Sequence, residues 1–259
     1  LGNIKFETKN YDEALFYFDK AITYNENLSE LYLQRALTKH ERDEFEDISI
    51  IKDLNKAIEL SSFENPKLYF ARAFLGESYA SSETLGGISG WWKNYDKAIE
   101  LDPNYFDPYY EKGRYIYRSY EYLGNWLLTR YPEMEDSPFR EMTPIEYFNT
   151  AVEALTKAIS LNSNDKEKIF ESYKMRAELN DWINDKGGSV SKDKIISDWI
   201  KYIELNPNSY QPYYSLAAIN SFNDNNEEAI QYYLKFFEVI NDQLFNDFGS
   251  IIYSKTDDW

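Results

Sequence analysis

Residues Asn94 to Gly113 read NYDKAIELDPNYFDPYYEKG, and the order of these residues decides the fold. Tyr95-Asp96-Lys97-Ala98-Ile99-Glu100-Leu101 has a helical pattern that stops at Asp102-Pro103. Pro103 cannot extend that helix, because its nitrogen carries no hydrogen and its ring clashes with the preceding turn. A second helical run follows and brings Gly113 ten positions after the proline. Gly113 has no side chain, so a neighbouring helix can approach its backbone closely. The same punctuation recurs along the chain, which makes this a helical repeat and not a lone helix–turn–helix.

Upstream, the third unit opens at Pro66 and carries Tyr69, Arg72, Ala73 and Phe74 in its first helix. Ala73 to Ala98 is 25 residues, and Gly86-Gly87-Ile88-Ser89-Gly90 accounts for the excess as a flexible loop before Trp91 and Trp92. The second unit pairs Leu31-Tyr32-Leu33-Gln34-Arg35-Ala36 with Asp53-Leu54-Asn55-Lys56-Ala57-Ile58, across an acidic turn from Glu41 to Asp47. The first has Gly2, Ala14 and Ala21 at spacings of twelve and seven, with Tyr11 opening its second helix.

Downstream, the fourth unit runs from Pro108 through Gly113 to Ala151 and Ala158. Its extra length predicts an extended first helix, a proline-punctuated loop and a second helix from about Pro144. Thr143-Pro144-Ile145-Glu146 supplies an N-cap threonine, a proline at N1 and a glutamate at N3. The fifth unit places Arg176-Ala177 in its first helix and Ile195 to Leu205 in its second, with Gly187-Gly188-Ser189 as the loop. In the sixth, Ala217 is followed by Ala229 twelve later and Phe236 seven after that. Leu244 to Tyr253 reads as a last helix with Gly249 at its small position.

These spacings resemble the tetratricopeptide repeat family, whose unit is about 34 residues, and the resemblance covers nearly the whole chain. It implies an all-α fold, a right-handed superhelical solenoid of antiparallel helix pairs. A single repeat domain is expected over residues 1–259, with about six units and a truncated first one. Irregular insertions are expected near 81–90, 120–147 and 183–192, and a capping helix at about 242–254. In that register residue 1 falls inside a first helix, so the chain reads as a fragment or a processed form. Tyr202, Phe236, Trp91 and Ile195 stand where the family has small residues, which bears on local packing and not on architecture. One helix pair cannot bury both its faces, so neighbouring units complete the core.

Composition bounds the function. A net charge of −17 speaks against nucleic acid, whose binding needs a basic surface to release counterions. No run of eighteen apolar residues is present, so no transmembrane span is encoded. The absence of cysteine excludes disulfides, zinc–thiolate sites and cysteine nucleophiles. It fits a reducing compartment, and a cytoplasmic location is expected, with an exported or processed form left open by the cut first unit. Aromatic residues make up 18% of the chain, so rings do much of the packing usually left to leucine and valine.

No enzyme chemistry is legible. His40 is the only histidine, so neither a Ser-His-Asp triad nor a two-histidine metal site is available. The run from Glu41 to Asp47 lacks the glycine-centred spacing of a calcium loop. The Gly-Gly pairs lack the strand and the Lys-Ser/Thr of phosphate loops. No cofactor and no metal are expected.

Recognition remains. In the family the resemblance points to, ligands lie in the concave groove lined by the first helices. The matching positions here include Phe70 and Phe74, then Tyr110, Arg114, Tyr117 and Arg118, then Lys174 and Trp182, then Tyr214 and Phe222. Aromatic rings interleaved with Arg and Lys suit a protein or peptide bearing a carboxylate or a phosphate. The site is expected around Arg114 and Arg118. The family's five-residue carboxylate clamp is matched only at Asn3 and Lys67, so binding of chaperone tails is not expected. Of Trp91 and Trp92, adjacent on a helix, one is expected in the core and the other outside. The alternative to an adaptor is an assembly component that self-associates through the stack ends and the long insertion.

Overall fold

A computed structural model describes residues 1–42, 48–77, 87–130, 139 and 141–256. Among these residues every regular element is a helix: α1 (Gly2–Glu7), α2 (Tyr11–Tyr24), α3 (Ser29–Glu41), α4 (Ile48–Leu60), α5 (Pro66–Glu77), α6 (Gly87–Leu101), α7 (Phe106–Arg130), α8 (Pro144–Leu161), α9 (Lys166–Asp185), α10 (Lys192–Leu205), α11 (Gln211–Phe222) and α12 (Asn226–Thr256). The chain divides into two compact units, residues 1–147 and 148–259. The fold is all-α, as the repeat reading expected.

In the first unit α1 packs on α2, α3 on α4 and α5 on α6, and each second helix also packs on the next first helix. The apolar stripe of α4 shows why. Ile50, Ile51, Leu54 and Ile58 recur at helical spacing and are buried, together with Leu68 and Leu75 of α5. Each such side chain contributes about 1.5–3 kcal/mol. Gly2 lies at a tight approach: a Cβ there would sit 2.7 Å from the buried Phe18 ring. In the second unit α9 packs on α10 and α11 on α12, with α10 also against α11. Ile195, Trp199, Tyr202 and Leu216 form its core with Ala177.

A polar clamp repeats beneath the packing. Arg35 of α3 donates to both carboxylate oxygens of Asp53 on α4, at 2.9 and 2.5 Å, and to Asp19 on the preceding α2 at 2.7 Å. Arg72 of α5 reaches Asn94 on α6 and Asn55 on α4 in the same way. Arg176 of α9 grips Asp198 on α10 at 2.8 and 2.6 Å and Thr156 on α8 at 3.0 Å. Each guanidinium also lies 5.5–5.7 Å from the ring of a tyrosine three residues earlier, Tyr32, Tyr69 or Tyr173. The planar fork of arginine thus ties a first helix to its own partner and to the helix before it.

The helix ends follow local chemistry. Thr143 and Glu146 form the expected reciprocal cap of α8. The Thr143 N–H donates to the Glu146 carboxylate at 2.7 Å, and the Glu146 N–H donates to the Thr143 hydroxyl at 3.3 Å. α9 ends in a Schellman turn, with Gly187 at φ +88° and the Gly188 N–H donating to the Ile183 carbonyl at 2.8 Å.

Two local expectations differ from the structure. Gly87 to Gly90 are the first turn of α6 and not a loop. Glycine propensity is a weak prior, and buried Trp92 and Tyr95 on the same helix anchor it to the core. The capping helix expected at about 242–254 is the C-terminal part of the single 31-residue α12. No proline or glycine interrupts Val239 to Gln243, so nothing stops the helix there. Residues 43–47, 78–86, 131–138 and 140, which include most of the acidic turn and parts of two expected insertions, lie outside the described residues. Trp92 is buried, edge-on to Phe139 at 4.8 Å and with the Lys112 ammonium 4.5 Å from its ring centroid. The side chain of Trp91 lies outside the described residues.

Candidate protein-binding site

The candidate positions do not share one environment. On α5, Phe70 and Phe74 stack at 5.8 Å, half-buried, and Phe70 also meets Tyr95 and Tyr105. On α7, Tyr110 and Tyr117 are only 8% and 5% exposed, so their rings serve the core, and Tyr110 stacks on Phe106. Arg114 is held by the buried carboxylate of Glu111 at 2.5 Å, whereas Arg118 is exposed. On α9, Lys174 is half-buried, and Trp182 sits edge-on to Phe148 at 4.5 Å with Lys186 over its ring. On α11, Tyr214 and Phe222 are 53% and 85% exposed. These last two line one open cleft.

That cleft has a volume of about 610 Å³. Its walls are the two first helices of the second unit, α9 and α11. From α9 come Asp181 and Asp185, one turn apart on the same face. From α11 come Tyr214, Ala218 and Phe222, and Ile195 and Ile219 lie between. Lys192 of α10 also lines it, with its ammonium on the Asn223 side-chain oxygen at 2.7 Å.

Local hydrogen bonds set this geometry. Asn184 closes the α9–α10 turn, donating to the Val190 carbonyl at 2.8 Å and accepting from its N–H at 2.7 Å. Pro212 opens α11, and the Tyr213 hydroxyl donates to the Pro207 carbonyl at 3.1 Å. Gln211 donates to Glu178, joining the start of α11 to the middle of α9. Tyr214 rests on Tyr233 and Phe236 of α12, at 6.2 and 5.6 Å.

This cleft is acidic: two carboxylates and one engaged ammonium line it, at a distance along the chain from Arg114 and Arg118, around which the basic site was expected. Partial desolvation, then the neighbouring Asp185, push the Asp181 carboxyl above its ordinary pKa, and Lys192 opposes the shift. Sequence reasoning missed these acids, although Asp181 and Asp185 stand four apart and flank Trp182. A second cleft, of about 570 Å³, lies among α8, α9 and α10. Its arginine, Arg176, is already committed to Asp198 and Thr156. Among the described residues no helix is long and apolar enough to cross a membrane.

The tetratricopeptide repeat profile matches residues 1–28 and 210–243, which are α1–α2 and α11 with the start of α12. No curated protein matches the chain. Among solved structures it is similar to the C-terminal part of a TPR repeat-containing protein from Cytophaga hutchinsonii. That match has 20% identity over 93% of this chain and 79% of the other, at a TM-score of 0.61. It is also similar to YrrB, described as a TPR protein with an unusual peptide-binding site, at 19% identity over 88% and 94% and a TM-score of 0.55. MamA from Desulfovibrio magneticus RS-1 matches at 15% identity over 83% and 96%, with a TM-score of 0.53. At these identities the likeness is one of fold. The paired helices, the two matched segments and these structural neighbours together show that the chain has a tetratricopeptide-repeat-like fold.

Proposed function

We propose that the chain is a scaffold or adaptor that binds a segment of another protein on the first-helix side of its repeats. The observation that carries this reading is the cleft between α9 and α11, where Tyr214 and Phe222 hold two aromatic rings open to solvent in a concave site. Rings in such places dominate binding energy, at about 2 kcal/mol or more each. The peptide-binding description of YrrB supports the same reading by analogy of fold. α7 is the second candidate surface: Arg118 is exposed, and a carboxylate or phosphate at Arg114 would compete with Glu111. The proposal takes residues 1–259 as one repeat domain, non-enzymatic and cytoplasmic, with protein partners and not nucleic acid.

Its test compares proteins retained by the wild type with those retained by Tyr214→Ser/Phe222→Ser and by Arg114→Glu/Arg118→Glu. A partner lost from either variant, with helicity unchanged, supports the adaptor. Retention of every partner by both variants overturns it.

One observation favours self-association as a second reading. Ile230, Leu234 and Phe237 form an exposed apolar stripe on α12. Phe237 falls eight residues after Ala229, as Ile58 falls eight after Ile50. Ile58 is 2% exposed and packs with residues of α5, whereas Phe237 is 55% exposed. Light scattering decides: a mass above one chain that Phe237→Glu returns to one chain supports this reading, and a single-chain mass at all concentrations removes it.

A further inference from the structure

We infer that the cleft between α9 and α11 takes a cationic segment of its partner, an arginine or lysine adjacent to a large apolar side chain. The inference rests on the scaffold reading above and names the chemistry of the segment bound.

Asp181 and Asp185 line the cleft, and neither makes a side-chain hydrogen bond or ion pair among the described residues. The single Lys192 ammonium lining the same cleft cannot balance two carboxylates, and its hydrogen bond goes to Asn223 and to neither of them. α9 ends at Asp185, so the partial negative charge of its C-terminal carbonyls falls at the same place, and no basic residue stands in its last turn. These sources add on one wall. The opposite wall is apolar: Tyr214, Ala218 and the 85%-exposed Phe222.

A ligand that satisfies both walls carries a positive charge toward α9 and an apolar group toward α11. Arginine fits best, since its fork can take both oxygens of one carboxylate while its plane lies against an aromatic face. The net charge of −17 draws such a segment from a distance. Desolvation and like charge already raise the Asp181 carboxyl above its ordinary pKa, a cost that a bound cation relieves. An acidic or phosphorylated segment would meet two carboxylates here and be repelled.

The test presents an array of random dodecapeptides to the full chain, then measures the retained peptides by fluorescence anisotropy. Retained peptides are expected to carry Arg or Lys within about two residues of an aromatic or leucine. Asp181→Asn/Asp185→Asn should weaken them by about tenfold or more, the size of a lost charge-assisted pair, and added salt should weaken them too. Phe222→Ser should weaken them as well. Retention of acidic or neutral peptides, or binding within about twofold in the double asparagine variant, overturns the cationic inference. The scaffold reading survives that result if Phe222→Ser still weakens binding. If the wild type retains no peptide at all, the groove reading fails and takes this inference with it.

Discussion

Arg72 places two N–H donors on the single amide oxygen of Asn94, at 2.9 and 2.6 Å, where Arg35 and Arg176 each meet an aspartate. The clamp is therefore one of shape before it is one of charge. With no carboxylate paired to it among the described residues, burial pushes the Arg72 guanidinium below its ordinary pKa, whereas Asp53 and then Asp19 raise that of Arg35 despite burial. The asparagine works because its own amide N–H donates to the Gly90 carbonyl one turn back, at 2.7 Å. That donor also helps hold the glycine-rich start of α6 in a helix.

The same substitution is predicted to be tolerated elsewhere. Asp198→Asn should cost under about 1.5 kcal/mol, because an asparagine oxygen can accept both Arg176 donors as Asn94 does. Asp198→Ala should cost about 2–4 kcal/mol, by leaving Arg176 largely desolvated without its partner. That lies below the figure for a fully buried pair, since the Arg176 side chain keeps 17% exposure. Urea unfolding of the two variants checks this. Equal losses would show that charge, and not geometry, carries the clamp.

Punctuation was legible in the sequence and burial was not. Pro103 after Leu101, and Thr143 three residues before Glu146, act through their own backbone, so local reading located those helix ends. The clamps were invisible because their partners lie 18 to 22 residues apart, although Arg35-Ala36, Arg72-Ala73 and Arg176-Ala177 recur in plain view. Tyr110 and Tyr214 were both read as groove rings. A tyrosine suits a core or a rim equally well, and only packing separates the buried ring from the open one. The acids of the α9–α11 cleft escaped notice for a related reason: they share a helix with the groove candidates Lys174 and Trp182, and only packing shows that they line a cleft.

The α8 cap predicts a pH-dependent difference. Thr143 holds the Glu146 carboxyl below its ordinary pKa, through its N–H first and its hydroxyl second. A depressed folded-state pKa means stability that is present above the unfolded value and lost as pH falls through the folded one. Glu146→Gln should therefore be less stable than wild type at neutral pH, with the gap closing in acid. Thr143→Ala should lose about 1 kcal/mol, or roughly 2–4 °C in Tm. A gap between wild type and Glu146→Gln that is constant from neutral to acid pH would remove the carboxylate from the cap.

The α9–α10 turn predicts two glycine effects with different origins. A Cβ on Gly188 would lie 2.3 Å from the Ile183 side chain and 2.8 Å from its carbonyl oxygen, so Gly188→Ala should cost about 1–3 kcal/mol by overpacking. Gly187 has open space around it but sits at φ +88°, so Gly187→Ala should cost about 1–2 kcal/mol in backbone strain. Gly187→Asn should recover part of that loss, since asparagine tolerates the left-handed region. Thermal unfolding of these three variants and of Gly188→Asn checks the distinction, and recovery with asparagine at 187 but not at 188 is the expected pattern.

Binding of a cationic peptide in the cleft should weaken on acidification while the fold persists. The ionisable groups that line the cleft with Asp181 are Asp185 on the same helix, Lys192 on α10 and Tyr214 on α11. Desolvation and Asp185 raise the Asp181 carboxyl, so it takes up its proton above the ordinary carboxylate value of about 3.9. A raised folded-state pKa means that protonating Asp181 adds stability, which is lost again as pH rises through that pKa. Loss of binding and unfolding should therefore separate along the pH axis. Asp181→Asn should bind more weakly at neutral pH and respond less to acid, whereas Asp185→Asn should bind more weakly yet keep a pH response through Asp181. Anisotropy titrations from neutral to mildly acid pH, with helicity followed in parallel, provide the check; an identical pH response in wild type and Asp181→Asn would remove Asp181 from the ligand contact.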